Sequence, residues 1–322
     1  MVSSSMRNLA VVLVVLVVLS VLPHYLKYHH QDFLIFLVVN VLVVVSYRLV
    51  TLTGEWSLIH AVMMGVGAYA SAMLTKNLGF SFWLGLPMAG VTAAVVAGLL
   101  CFPLFRMTQF YFLIGSFAAG EAIRLSWIHF IRPFGGTSGI SAIPSPELFN
   151  IDFLEPIPYF YLTLIIVTLC LLILYRIEKS RVGLTLHAVH WKAPLAESIG
   201  VNTWNYRSLA FITGSFFVGL AGALKVHYIG TVTPKQFDIG FMVFILIWVI
   251  VGGYRTFYGA ILGAVVLSIL DEMFREFDEF RPAIYGAILI FSILYLPAGL
   301  ESLPRKIGGL LGGRKREQES AP

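Results

Sequence analysis

Charge is scarce in this sequence: Asp, Glu, Lys and Arg together supply 12% of its 322 residues, about half the share carried by an ordinary soluble domain. That scarcity excludes a water-soluble globular protein, because too little polar surface remains to cover a chain that is 58% hydrophobic. Cysteine is nearly absent as well. Cys101 and Cys170 fall in or beside apolar runs, where they act as small buried thiols and not as a disulfide framework. The phosphate-cradling pattern G-x-x-x-x-G-K-[ST] occurs nowhere, so the chain brings no P-loop of its own for ATP. H-E-x-x-H, other metal-ligand spacings and the G-x-S-x-G nucleophile elbow are missing too. No metal site, resident cofactor or enzymatic reaction is expected.

Long apolar stretches are what the sequence has in abundance, with a mean hydropathy of +0.85. Ten candidate spans fall at about 8–26, 33–52, 57–75, 81–105, 110–130, 157–176, 208–229, 239–252, 257–270 and 282–297. A hydrocarbon core of about 30 Å needs roughly 20 apolar residues in a helix, and lipid-exposed backbone must satisfy its own hydrogen bonds. The expected fold class is therefore an all-α integral membrane protein with about 8–10 transmembrane helices. Gly252, Gly253 and Gly259 interrupt the pair at 239–270, which reads either as two short helices or as one span with a broken or re-entrant section. The apolar run after Arg7 resembles a signal peptide, but it continues into Pro23, His24 and Tyr25 without a small-residue cleavage site, so a retained first span is expected.

Lys and Arg set the orientation. With ten spans and the N-terminus inside, fourteen of them fall on the inner side against six outside, while ten acidic residues lie outside against six inside. Both termini and the loop 177–207 are then cytosolic. The plan is a transmembrane domain over 1–304 and a basic cytosolic tail over 305–322, whose Arg314–Arg316 run reads as a solvated membrane flank and not as a nucleic-acid contact.

The most informative segment is Ser180 to Phe211, a basic and partly polar stretch between apolar runs. A short helix beginning near Ala193 suits Pro194 in its first turn, and Gly200 after Ile199 is a natural C-cap. Such a knob between two spans is the shape a part needs if it receives motion from another protein, though an ordinary surface helix has the same pattern. Within the spans, Glu121 and Arg124 are three apart on one helix face and read as a structural pair, with a place on a translocation path as the alternative. His60, ahead of Gly65 and Gly67, reads as a hydrogen-bonded packing residue or a path residue. Lys225, towards the outer end of its span, is expected to snorkel outward. The small residues of Phe134–Gly139 suit a plain turn or a substrate contact.

Five pieces carry a resemblance when taken in order. They are Ser57-Leu58-Ile59-His60-Ala61 with Gly65 to Tyr69; Gly135 to Ile140; Ser180-Arg181-Val182-Gly183 through Ala193–Glu197, Gly200-Val201-Asn202 and Tyr206 to Phe211; Gly219 to Leu224; and Gly252-Gly253 with Gly259 and Gly263. Over roughly residues 33 to 300 the chain is similar to permeases of the branched-chain amino acid type of ABC importer. The resemblance implies that Ala193, Ala196, Glu197 and Gly200 belong to a coupling helix seated on a cytosolic ATPase; His60, Glu121 and Arg124 are translocation-path candidates on their own account, as ionisable groups within spans. The resemblance also implies two cytosolic ATPase subunits that use the ATP, a second permease subunit, an extracytoplasmic binding protein, and a place in a bacterial inner membrane. A proton- or ion-coupled secondary transporter, with Glu121 or His60 exchanging a proton, is the alternative reading.

Overall fold

The computed structural model describes residues 18–302 apart from 108–109, 149–150, 276–279 and 297–298. Ten helices of a dozen residues or more are found among the described residues: α1 (Tyr28–Thr51), α2 (His60–Leu78), α3 (Phe82–Leu104), α4 (Phe110–His129), α5 (Pro156–Lys179), α6 (Arg181–Ser198), α7 (Thr203–Ile229), α8 (Ile239–Gly252), α9 (Phe257–Met273) and α10 (Arg281–Tyr295). Nine coincide with expected spans, α6 being the exception. The expected first span, 8–26, lies largely outside the described residues, and the tail 305–322 lies wholly outside them. Among the described residues, six helical stretches are long and apolar enough to cross a membrane. The chain is an all-α multi-pass membrane protein; two two-residue strands, β1 (Glu147–Leu148) and β2 (Ile151–Asp152), pair antiparallel in a loop.

The core forms around α1 and α7. The Val- and Leu-rich α1 is buried from Leu34 onward almost without interruption, as expected of a helix apolar on all sides and surrounded by others. Around α7 lie α3, α2 and α1. These crossings are lined by small residues, which substitute for a hydrophobic drive between helices in lipid by letting backbones touch. A methyl group at Gly67 on α2 would stand 2.4 Å from Gly219 Cα on α7, and Gly219 in turn faces Ala89 and Ala93 of α3.

Two ends of the bundle differ in charge. At the acidic end, Asp32 accepts the Tyr228 hydroxyl, the Tyr159 hydroxyl donates to Leu224 O at 2.7 Å, and Ile140 pairs with Val232 through two backbone hydrogen bonds of 2.9 Å. That bridge draws the Gly135–Gly139 turn onto the loop after α7. The segment expected to be one broken span or two short helices is two, α8 and α9, packed together with Gly252 close against Gly263 and joined at the basic end by Gly253–Thr256.

Candidate functional site

At the basic end, the chain passes from α5 into α6 through Ser180 alone. Ser180 caps α6 by accepting from Val182 N at 3.2 Å. The reversal is so tight that a Cβ at Gly183 would lie 1.9 Å from the carbonyl oxygen of Glu178, so only glycine fits there. Leu186 and Val189, three apart and buried, then hold α6 on the bundle. At Lys192 the backbone leaves the helical region (φ −153°, ψ 88°), and a second helical piece starts at Ala193 with Pro194 in its first turn, as the sequence suggests. It closes at Gly200, whose φ of +87° suits glycine although open space surrounds it. Val201 N returns to Ala196 O at 3.1 Å to finish the cap.

The four expected docking residues divide by environment. Ala196 is buried, Ala193 is half-buried, and Glu197 turns its carboxylate to the Thr203 hydroxyl at 2.6 Å, fixing the knob to the start of α7. Beside the exposed Lys192, Glu197 and Ser198, three large apolar side chains face outward here: Trp191 is 78% exposed, Leu195 62% and Ile199 76%. Such a patch outside the spans marks a contact surface. Sequence reading passed over these three, although Leu195 and Ile199 are spaced i, i+4 as one helix face.

Behind the knob lies a layer of buried charge. Arg48 of α1 forms a bidentate ion pair with Glu178 of α5, one arm being Nη2 to Oε1 at 3.1 Å; Arg48 is 1% exposed and Glu178 8%. The same guanidinium donates to the carbonyls of Tyr254 (3.0 Å) and Arg255 (3.1 Å) in the α8–α9 turn. Glu55, in the α1–α2 turn, pairs with Arg207 at 3.0 Å. Burial raises the Glu55 carboxyl above its usual range and the Arg207 charge draws it back down. His190 of α6 stacks obliquely near the Tyr254 ring, 6.1 Å between centroids, and abuts Gly54. Burial keeps the neighbouring His187 imidazole below its ordinary range, against the pull of Glu178. The first part of α6, which carries the knob, is thus in contact through His190 with both turns that close the basic end. Glu301 joins the layer by accepting from Thr256 N at 2.9 Å and from its hydroxyl at 2.5 Å.

The three path candidates are not brought together. His60 is 0% exposed at the crossing of α1, α2 and α7, with Nε2 at 3.0 Å from Ser46 Oγ and the Tyr47 ring 5.3 Å away, an enclosed packing position. Glu121 and Arg124 form a pair midway along α4, with Arg124 Nε donating to Glu121 Oε2 at 2.9 Å, and Asp238 within electrostatic reach of Arg124. Their side chains are 28% and 19% exposed. A charge at the bilayer centre costs about 2.5–3.5 kcal/mol on insertion scales, so a half-open pair at that depth belongs against water or protein and not against lipid. Lys225 is half-buried and reaches towards the segment beyond the outer end of α7, with Nζ over the Phe241 ring at 4.8 Å and the Phe237 ring at 6.0 Å.

The sequence profile described as the permease component of a branched-chain amino acid transport system matches residues 31–296. The high-affinity branched-chain amino acid transport system permease protein LivM of Salmonella typhimurium is 28% identical over 294 residues, covering 84% of this chain and 69% of that protein; LivM of Escherichia coli K12 matches equally. LivH of Escherichia coli K12 is 27% identical over 132 residues, covering 40% of this chain and 42% of that protein. No solved structure matches the chain. With more than four-fifths of its length inside the profile, the chain belongs to the family of permease components of branched-chain amino acid transport systems.

Proposed function

We propose that this chain is one of two permeases in an importer for branched-chain amino acids or related small solutes in a bacterial inner membrane. Two cytosolic ATPases dock on the 191–200 knob, and an extracytoplasmic binding protein delivers solute at the acidic end. The observation that carries the docking is the exposed Trp191, Leu195 and Ile199 set on a piece of helix locked by Ala196, the Glu197–Thr203 hydrogen bond and the Gly200 cap. Closure of the ATPases on ATP displaces the knob, and the basic-end layer passes that displacement to the α1–α2 and α8–α9 turns. The pair of permeases accords with the likeness of this chain to both LivM and LivH of one organism. Glu121 and Arg124, half-open at mid-membrane, are assigned to the aqueous path between the two permeases. The gradient-driven alternative gains nothing from the geometry, since His60 is enclosed and Glu121 is committed to Arg124.

Changing Leu195 and Ile199 together to Asp tests the docking. Both side chains point away from the bundle, so the permease stays in the membrane at normal abundance while co-purification of the ATPases and solute uptake fall at least tenfold. Unchanged co-purification would remove the knob as the docking surface.

A further inference from the structure

We propose that Lys225 is a carboxylate-binding residue of the translocation route, met by the solute's own carboxylate as it enters from the acidic end. The inference rests on the importer reading above and narrows its substrate class from any small solute to one carrying a carboxylate.

The placement is unusual for a lysine near a helix end. Lys225 stands on α7, where its neighbours Leu224 and Val226 are fully buried, so its side chain does not start from a lipid-facing surface. Its ammonium is carried over Phe241 and Phe237, the latter fully buried. Those rings supply a partial, uncharged counterpart to the cation. No carboxylate among the described residues forms an ion pair with it. Asp32 and Asp238, which bond to Tyr228 and Phe241 beside it, are otherwise engaged: Asp32 accepts the Tyr228 hydroxyl, and Asp238 caps α8, accepting from Phe241 N at 3.0 Å.

A cation placed in a membrane domain without an anion is unfavourable unless something anionic visits it. The visitor that the surroundings fit is small, with one carboxylate for Nζ and an apolar portion for the faces of Phe237 and Phe241. An aliphatic α-amino acid and an aromatic acid meet that description. Urea and simple amides do not, having no negative charge to offer. A lipid phosphate is the other anion with the right charge, and it differs from the solute in that its protection would follow lipid composition.

The test uses the complete complex of both permeases, ATPases and binding protein in proteoliposomes, with L-leucine as the probe. Lys225→Gln and Lys225→Arg are compared for leucine uptake at equal membrane abundance and equal recovery of the ATPases. Uptake is expected to fall at least tenfold in Lys225→Gln and to return to within about threefold of wild type in Lys225→Arg, which keeps the cation. In parallel, amine-reactive labelling of Lys225 in the wild-type complex is read by mass spectrometry, and leucine but not leucinamide is expected to protect it. Wild-type uptake by Lys225→Gln overturns the proposal, as does equal protection by leucinamide. Protection that follows the content of anionic lipid and ignores leucine assigns the lysine to a headgroup and overturns it too. A wild-type complex that moves neither leucine nor an aromatic acid nor urea overturns the importer reading instead, so the two failures are told apart.

Discussion

Removing one partner of the Arg48–Glu178 pair should be among the most damaging single changes in the chain. Glu178→Gln leaves the Arg48 guanidinium, 1% exposed, with only the carbonyls of Tyr254 and Arg255 to receive it. Arg48→Met leaves a buried carboxylate and also strips both carbonyls of their donor. Breaking a buried pair from one side costs about 3–5 kcal/mol, much of it the penalty of the abandoned charge. For a chain of this size a kilocalorie moves the melting midpoint by about 2 °C, so each single variant should unfold roughly 6–10 °C lower in detergent, with Arg48→Met the worse. The double variant Arg48→Met, Glu178→Gln abandons no charge and should recover at least about 2 kcal/mol of the summed loss. The assay is thermal unfolding followed by size-exclusion fluorescence on all four proteins. A Glu178→Gln midpoint within a degree of wild type, or a double variant that merely adds the two losses, would refute the account of this pair as the buried clamp of the basic end.

Two further outcomes follow from the α5–α6 junction. Gly183→Ala places a methyl 1.9 Å from the Glu178 carbonyl oxygen; the resulting overpacking should cost about 1–3 kcal/mol and lower solute uptake per ATP hydrolysed, both measurable on the reconstituted complex. The His187 imidazole is held below its ordinary range by burial, so its contribution to stability is complete above the unfolded value of about 6.5 and is lost as pH falls towards the depressed folded value. Unfolding midpoints at pH 7.5 and 5.5 should therefore converge in His187→Leu relative to wild type; an identical acid loss in both would exclude this histidine.

Much of the helical frame was legible because apolar runs and Gly or Pro punctuation locate spans without any tertiary information. Gly200 was legible for the same local reason, since a left-handed cap is a property of a few consecutive residues. The first half of α6 was less so: Gly183, Leu186 and Val189 carry its helical period, but the polar residues between them resemble a loop. Arg48 and Glu178 could be counted as inner-side charges, yet nothing in their spacing pairs residues 130 positions apart. The ring partners of Lys225 were hidden on the same ground. A rule about side chains near helix ends contains no knowledge of Phe237 and Phe241 arriving from the next segment.

The close crossing of α7 with α2 and α3 at Gly219 has a mechanical consequence. At 1.5 Å per residue, the 27-residue α7 is about 40 Å long, with Gly219 about 24 Å from Thr203 and about 9 Å from Lys225. Gripped by backbone on two sides, Gly219 is a natural fulcrum. Thr203 holds Glu197 of the docking knob, so a tilt imposed there swings Lys225 the opposite way through roughly a third of the distance. On the proposed docking, a broad stroke at the knob becomes a short, forceful one at Lys225.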